Sequence, residues 1–249
     1  MASKPLLSIG IPTYNEKENI YNLIYEIGRS LESSNINVHI NIIDDSSPDG
    51  TADYIRRSTK ILQEQYPFMK INLFVREGKL GLASAHVYGF KQAFSQDADY
   101  IMEMDADFSH QPKYIPIFLD AIKDYDLVIG SRYVRGGGTT KWNFFRKFLS
   151  VGGSLYARTI LGMKIQDMTA GFKMYRGYIL QSIDLDQIKS TGYSFQIELK
   201  YRIFKRGFKI KEVPIIFPDR EKGKSKMDKF QTIINTIFVV WKLKFDKSI

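Results

Sequence analysis

Two aspartates one residue apart, Asp105 and Asp107, stand where an apolar run stops. The run, Tyr100 to Met104, has the make-up of a buried strand, and the turn after it continues as Phe108-Ser109-His110. Buried strands of α/β proteins open at their carboxyl ends on the crevice where ligands bind. Carboxylate oxygens there are hard donors of the kind Mg2+ prefers, spaced to hold a cation against a phosphate. Taken alone, the pair is no different from a solvated Asp-rich turn between a strand and a helix. Two more strand ends carry polar turns of the same type. Pro12-Thr13-Tyr14-Asn15-Glu16 follows the run Leu6 to Ile11, and Asp44-Asp45, with Asp49-Gly50-Thr51, follows Val38 to Ile43.

The elements that must position these turns follow from hydrophobic spacing. Asn15 and Glu18 have the spacing of a capping box, and Ile20, Leu23, Ile24, Ile27 and Leu31 then recur as one helical stripe. Ser47 before Pro48 predicts the cap and first turn of a second helix. A third strand is expected over Ile71 to Val75, and a small-residue loop, Gly78 to Ala85, leads into a helix reaching Phe94. After Tyr100 to Met104, a helix is expected from Pro112 to Ile122, then a fifth strand, Leu127 to Ile129, closed by Gly130-Ser131-Arg132. Five alternations of strand and helix predict an α/β fold, a parallel sheet with helices on both faces. The distinctive residues all fall on the ligand side of that sheet. Beyond residue 130 the rhythm loosens. Gly136 to Thr140 reads as a flexible loop, Trp142 to Leu161 and Tyr193 to Arg206 as helices, and Lys209 to Phe217 as an edge strand interrupted by Pro214. A basic loop, Arg220 to Lys226, precedes a last helix in which Phe230, Ile233, Ile234, Ile237, Phe238 and Trp241 keep helical spacing and Lys242, Lys244 and Lys247 follow. That amphipathic, basic end suits core packing or a membrane or partner contact.

Charge divides the chain. Residues 1–130 carry 12 Lys+Arg against 18 Asp+Glu, and residues 131–249 carry 24 against 9, so the two parts hold −6 and +15. An acidic part suits a metal site, and a basic part suits anionic partners such as phosphates, lipid head groups or nucleic acid. The absence of cysteine excludes disulfides, thiol chemistry and cysteine-ligated zinc or iron–sulfur centres. No run of apolar residues approaches the ~18 of a membrane-spanning helix, and the N-terminus lacks a signal-peptide layout. The expectation is a soluble or peripheral protein.

With the three turns in this order, the chain resembles the inverting nucleotide-sugar glycosyltransferases of the GT-A fold (family 2). Within them it resembles the dolichyl-phosphate mannosyltransferases. The narrower likeness rests on Asp105-Ala106-Asp107-Phe108-Ser109-His110-Gln111-Pro112-Lys113, Gly130-Ser131-Arg132-Tyr133-Val134-Arg135-Gly136-Gly137, Asp167-Met168-Thr169-Ala170-Gly171-Phe172 and Asp219 to Lys226. It runs from Leu7 to Lys226. The resemblance implies a catalytic domain over 1–226, with a nucleotide and metal half (1–130) and an acceptor half (131–226), and a C-terminal amphipathic helix at 227–249. It implies a Rossmann-like, mostly parallel sheet and transfer of mannose from GDP-mannose to dolichyl phosphate. Pro12, Tyr14 and Glu16 would wall the nucleoside, and Asp45 would accept from guanine beside Ile43. Asp105 and Asp107, with Ser109 where archaeal relatives carry glutamine, would hold Mg2+ or Mn2+, with Ca2+ a further candidate. Ala106 lies between the ligands at the diphosphate. Arg132 and Arg220 would lie closest to the phosphates, and Arg146 and Lys226 are further cationic candidates; His110 is expected to be a structural turn residue. Asp107, Arg132 and Arg220 are the expected catalytic set.

The same resemblance implies work at a membrane surface, the cytosolic face of the endoplasmic reticulum or the cytoplasmic membrane of a prokaryote. Small membrane-anchoring subunits are among the partners that relatives use. A polyprenyl-phosphate glucosyltransferase using UDP-glucose shares the first three turns and is the alternative enzyme. A non-enzymatic binder of nucleic acid is the alternative of another class. The basic part lacks an aromatic-interleaved nucleic-acid motif, so no nucleic acid is expected as partner.

Overall fold

The computed structural model describes residues 3–219, 229–246 and 249, with the backbone alone at 229–234. The first half alternates as expected: Leu6–Thr13 (β1), Ile20–Leu31 (α1), Asn37–Asp44 (β2), Thr51–Gln65 (α2), Met69–Val75 (β3), Leu82–Ser95 (α3), Tyr100–Glu103 (β4), Ile115–Ala121 (α4) and Leu127–Ser131 (β5). The second half holds Gly138–Thr139 (β6), Phe144–Leu161 (α5), Lys173–Arg176 (β7), Gly177–Gln181 (α6), Gly192–Lys205 (α7), Ile210–Pro214 (β8), Ile216–Phe217 (β9) and Lys229–Phe245 (α8).

Seven strands make one sheet in the order β3-β2-β1-β4-β7-β5-β8, and β6 pairs with β9 apart from it. Every pair in the large sheet is parallel except those of β7, which runs antiparallel to both β4 and β5. The sheet is mostly parallel, as expected, but β7, an interior strand between β4 and β5, comes from the second half of the chain and was not anticipated. Successive side chains of a strand point to opposite faces, and they sort here into two cores. Leu7, Ile9 and Ile11 of β1, Val38, Ile40 and Ile42 of β2, Met102 of β4 and Val128 of β5 join α1, α2 and α4. Ile101 of β4, Leu127 and Ile129 of β5 and Tyr175 of β7 join α3 and α5–α8. Each such fully buried aliphatic side chain contributes about 1.5–3 kcal/mol. Gly89 of α3 lies over Gly10 of β1, and a Cβ on Gly89 would press on Ile43 Cδ1 at 3.2 Å.

Three local expectations need correcting. The capping box does not form: Asn15 has a left-handed backbone (φ 58°) and α1 starts only at Ile20. The N–H groups that a helix start would leave unpaired are taken elsewhere, Asn15 donating to Ser47 Oγ, Glu16 to Thr51 Oγ1 and Lys17 to Asp49 Oδ2. Nor does Ser47 cap α2, which begins at Thr51 after Gly50 (φ 81°), because the Ser47 hydroxyl donates to Asp44 Oδ1. Gly136 to Thr140 is not a loose loop. Gly138 and Thr139 pair with Ile216 and Phe217, and Gly137 lies so close to Ser131 that a Cβ there would stand 2.5 Å from its carbonyl oxygen. The last helix, α8, buries Val240 and Leu243 against the second core, while Ile237, Phe238 and Trp241 of the expected stripe are exposed, which leaves those three to the contact reading and not to core packing. Phe230, Ile233, Ile234 and Lys247 lie outside the described side chains.

Candidate active site

The carboxyl ends of β3, β2, β1, β4 and β5 all open on one edge of the sheet, and β1 and β4 are the neighbours between which strand order reverses. Because β7 runs the other way, it is the loop before it, residues 167–172, that reaches the same edge. The sequence motif Asp167 to Phe172 is thereby brought beside the Asp105 turn.

On the β3–β2–β1 side the turns are stitched into one rim. Asp44, fully buried, accepts from Thr13 Oγ1 (2.9 Å), Ser47 Oγ (2.6 Å) and Ser47 N (2.9 Å). Asp49 accepts from Thr51 and from Lys17 N. Burial opposes its charge, yet these hydrogen bonds hold its carboxyl below the usual carboxylate range. Asp45 is bound to the turn after β3: Arg76 Nε reaches Oδ1 at 2.7 Å, and the Leu80 and Gly81 N–H groups reach Oδ2 at 3.0 Å. A guanine edge at Asp45 would therefore share a carboxylate already engaged by Arg76. Tyr14 lies under the ammonium of Lys79, 4.6 Å from ring centre to Nζ. Glu16 accepts from Asn19 Nδ2 (2.9 Å). Pro12 stands opposite Ile43 in the β1–β2 register. Ile43 itself is fully buried against Gly89, under the rim.

The turn after β4 is held from several directions. Phe108 has φ 61°, a strained value for a bulky residue, and it lets Ser109 fold back on Asp107. Both Ser109 donors, N (3.1 Å) and Oγ (2.6 Å), reach Asp107 Oδ1. Ser109 thus orients the Asp107 carboxylate, with its hydroxyl proton aimed at that group. His110 Nδ1 accepts from Asp105 N at 2.9 Å, leaving the ring proton on Nε2, 3.8 Å from Asp105 Oδ2. The ring stacks on Phe172 (4.8 Å between centres, 7° between planes), and burial lowers its pKa to about 4. His110 is a neutral support of this turn. Asp107 is almost buried, and so is Ala106, whereas the Asp105 side chain is 31% exposed. Among the described residues no third His, Asp or Glu joins them to make a closed metal cage. Two hard carboxylates on an open rim fit a divalent cation that fills its shell with diphosphate and water oxygens.

Beneath this turn lies a buried ionic layer that sequence reasoning missed. Glu103, the last residue of β4, meets Lys173 Nζ at 3.0 Å, the Tyr175 hydroxyl and Gln196 Nε2 at 3.0 Å. Burial would raise its pKa, but Lys173 and these donors bring it to about 2. Lys200, on α7, donates to the carbonyls of Met168 (3.0 Å) and Ala170 (2.7 Å), fixing the loop before β7 from below.

On the β5–β8 side, Arg132 is buried and paired. Its Nε and Nη2 grip Asp167 at 2.7 and 2.6 Å, its N–H donates to Asp167 Oδ2 at 3.0 Å, and Nη2 also reaches Thr169 Oγ1 at 2.8 Å. Burial disfavours both charges, but the pairing outweighs it, holding the Arg132 pKa above and the Asp167 pKa below their usual values. The rings of Tyr133, Trp142 and Phe217 enclose its guanidinium. Arg146 stacks on Trp142 at 3.9 Å and pairs with Asp219 at 2.6 Å. Arg220 and Lys226 lie outside the described residues. Arg76, Lys79, Asp167 and Trp142 were not assigned roles from sequence. For Arg76 a signal existed, a charged residue immediately after a strand on the ligand side.

Comparison with known proteins gives the family. A model of Glycosyl transferase family 2 matches residues 8–184. The chain is 42% identical over 217 residues to the undecaprenyl-phosphate mannosyltransferase of Micrococcus luteus, covering 87% of this chain and 85% of that one. It is 39% identical over 218 residues to the polyprenol monophosphomannose synthase of Mycolicibacterium smegmatis, covering 87% and 79%. Among solved structures, glucosyl-3-phosphoglycerate synthase of Mycobacterium tuberculosis, in complex with Mn2+, uridine diphosphate and phosphoglyceric acid, superposes with a TM-score of 0.66. The identity there is 18%, with 98% of this chain and 80% of that one covered, a likeness of fold.

Proposed function

The chain belongs to glycosyl transferase family 2, and from that membership we propose that it transfers a mannosyl group to a polyprenyl phosphate. What carries the reading is the 42% identity, over most of both chains, to a protein named for that reaction. The paired carboxylates of Asp105 and Asp107 at the reversal of strand order support it. More finely, the donor is GDP-mannose, the acceptor dolichyl phosphate, and the product dolichyl β-D-mannosyl phosphate, formed with inversion.

In this reaction an ionised acceptor oxygen attacks the anomeric carbon from the face opposite the diphosphate. The new C–O bond forms as the old one breaks, and the electron pair leaves on the GDP β-phosphate. The acceptor phosphate is already deprotonated at neutral pH, so orientation and charge matter more than a general base. Tyr14, Lys79, Glu16 and the Asp45–Arg76 pair form the rim that takes the nucleoside. Asp105 and Asp107 would hold Mg2+ or Mn2+, which supplies Lewis-acid stabilisation of the departing diphosphate. Arg132 faces the acceptor side with its charge matched by Asp167, so it orients a phosphate through a fixed donor rather than a surplus of charge. Because the acceptor is a lipid, the enzyme works at a membrane surface; among the described residues no helix is long and apolar enough to cross one.

The test is incubation with labelled GDP-mannose and dolichyl phosphate in detergent, with Mg2+ or with chelator. Metal-dependent label in the lipid phase is the expected result. Transfer from labelled UDP-glucose in a parallel incubation and not from GDP-mannose, or no label in the lipid phase, would overturn the reading. Undecaprenyl phosphate run in parallel decides the acceptor.

A further inference from the structure

Helix α5 buries Ser154, Ala157 and Leu161, yet a second line of large apolar side chains faces water. Phe144 is 84% exposed, Phe148 63% and Leu155 50%, and Val151 completes the line. At 3.6 residues per turn these four fall within about 60° of arc, a stripe of the kind that normally seeks a core. Phe145 beside it is also exposed, and Phe144 stacks on Phe148. The neighbouring α8, linked to α5 through Tyr156 and the Ile237 carbonyl, exposes Phe238 (70%), Trp241 (46%) and Phe245 (73%). Scattered exposed apolar residues are ordinary, but an aromatic stripe along one helix, with a second exposed aromatic set on the helix packed against it, marks a docking surface.

Charge selects the occupant. Residues 136–166 hold five Lys+Arg and no Asp or Glu, and residues 229–245 hold three and none. Such a surface repels its own copy and attracts an anionic one. Aromatic rings rimmed by cations are what an in-plane helix presents to lipid head groups.

We propose that α5, with α8 beside it, seats the protein on an anionic lipid bilayer, with the Phe144–Leu155 stripe entering the head-group region. The consequence for the site is direct. The helix is capped by Asn143, beside Trp142, whose ring lies against Arg132 and Arg146 on the side proposed for the acceptor. Inserting the first turns of α5 puts that side at the depth of lipid phosphates. An acceptor need not leave the bilayer to reach the anomeric carbon. This deepens the polyprenyl-phosphate reading and rests on it for the meaning of the surface, but not for its existence.

Flotation of the full chain with phosphatidylglycerol-containing vesicles tests it, against phosphatidylcholine vesicles. The wild type is expected to float with the former. Phe144→Ser/Phe145→Ser/Phe148→Ser should lower partitioning by about a hundredfold, since three rings leave the interface. Ile61→Ser, an exposed apolar position on α2, should float as the wild type does. Turnover of a short-chain, water-soluble acceptor should survive in the triple variant, and turnover of a long-chain acceptor in vesicles should fall. Undiminished flotation of the triple variant would overturn the proposal. So would a wild type that forms dimers which the triple variant abolishes while flotation persists. Loss of flotation in a protein that transfers no sugar would leave the surface standing and remove the enzyme reading.

Discussion

At the scale of single residues, the turn after β4 divides its labour. Asp105 and Asp107 offer oxygens, while Ser109, His110 and the left-handed Phe108 fix where those oxygens point. Asp107→Ala should lower metal-dependent transfer about a thousandfold, the rate equivalent of several kcal/mol of charge stabilisation. The melting temperature should stay within a few degrees of wild type, because the side chain belongs to a rim and not to either core. Ser109→Ala should leave turnover at saturating metal near wild type and weaken apparent metal affinity about tenfold, as expected when the partner that orients a ligand is lost. A metal titration of initial rates separates the two outcomes. Residue identities and their order along the chain made these carboxylates legible. Pairing did not follow in the same way. Arg132 and Asp167 are 35 residues apart, and nothing local in either segment says that one neutralises the other. The engagement of Asp45 by Arg76 likewise depends on two strands being neighbours.

At the scale of elements, apolar runs and helical stripes located the strands and helices of the first half, because each carries its own period. Helix starts were less legible, since the N–H groups of residues 15–17 serve the second turn instead of α1. The least legible element is β7. It is four residues long and contains a lysine that is completely buried. The Glu103 carboxylate on the adjacent strand, together with Gln196 Oε1, to which Lys173 Nζ also donates, makes that lysine admissible in the core. Lys173→Met should accordingly destabilise the protein by about 3–5 kcal/mol, because it strands a buried charge. Adding Glu103→Gln should recover part of the loss. Urea unfolding of the single and double variants measures both. Gly137→Ala should also cost stability, since its Cβ would collide with the Ser131 carbonyl and part β6 from β9.

At the scale of the molecule, two cores flank one sheet, and the second holds an acid-sensitive ring. His86 is buried between Phe195 and Phe90, neither ring nitrogen has a hydrogen-bond partner among the described residues, and burial holds its pKa below 6.5 although the Glu103 carboxylate lies 3.7 Å from Nδ1. Below pH 6.5 the unfolded chain takes up a proton there that the folded one refuses, so stability should fall as pH drops from 7 toward 5. His86→Phe should flatten that slope in urea midpoints measured across the range. The Asp167 contribution is present above pH 3.8 and is lost at lower pH, as its depressed folded pKa is crossed. The charge division between the two parts of the chain was legible from composition, but the interleaving of the parts was not. In the sheet β5, from the first part, is separated from β4 by β7, from the second. During synthesis the ribosome delivers β5 more than forty residues before the strand that must lie between it and β4. A nascent chain of the first 130 residues therefore has a slot where its sheet should close. Its two edges are open to a wrong partner until residue 176 has emerged, and this interval is where a chaperone would matter most to this protein.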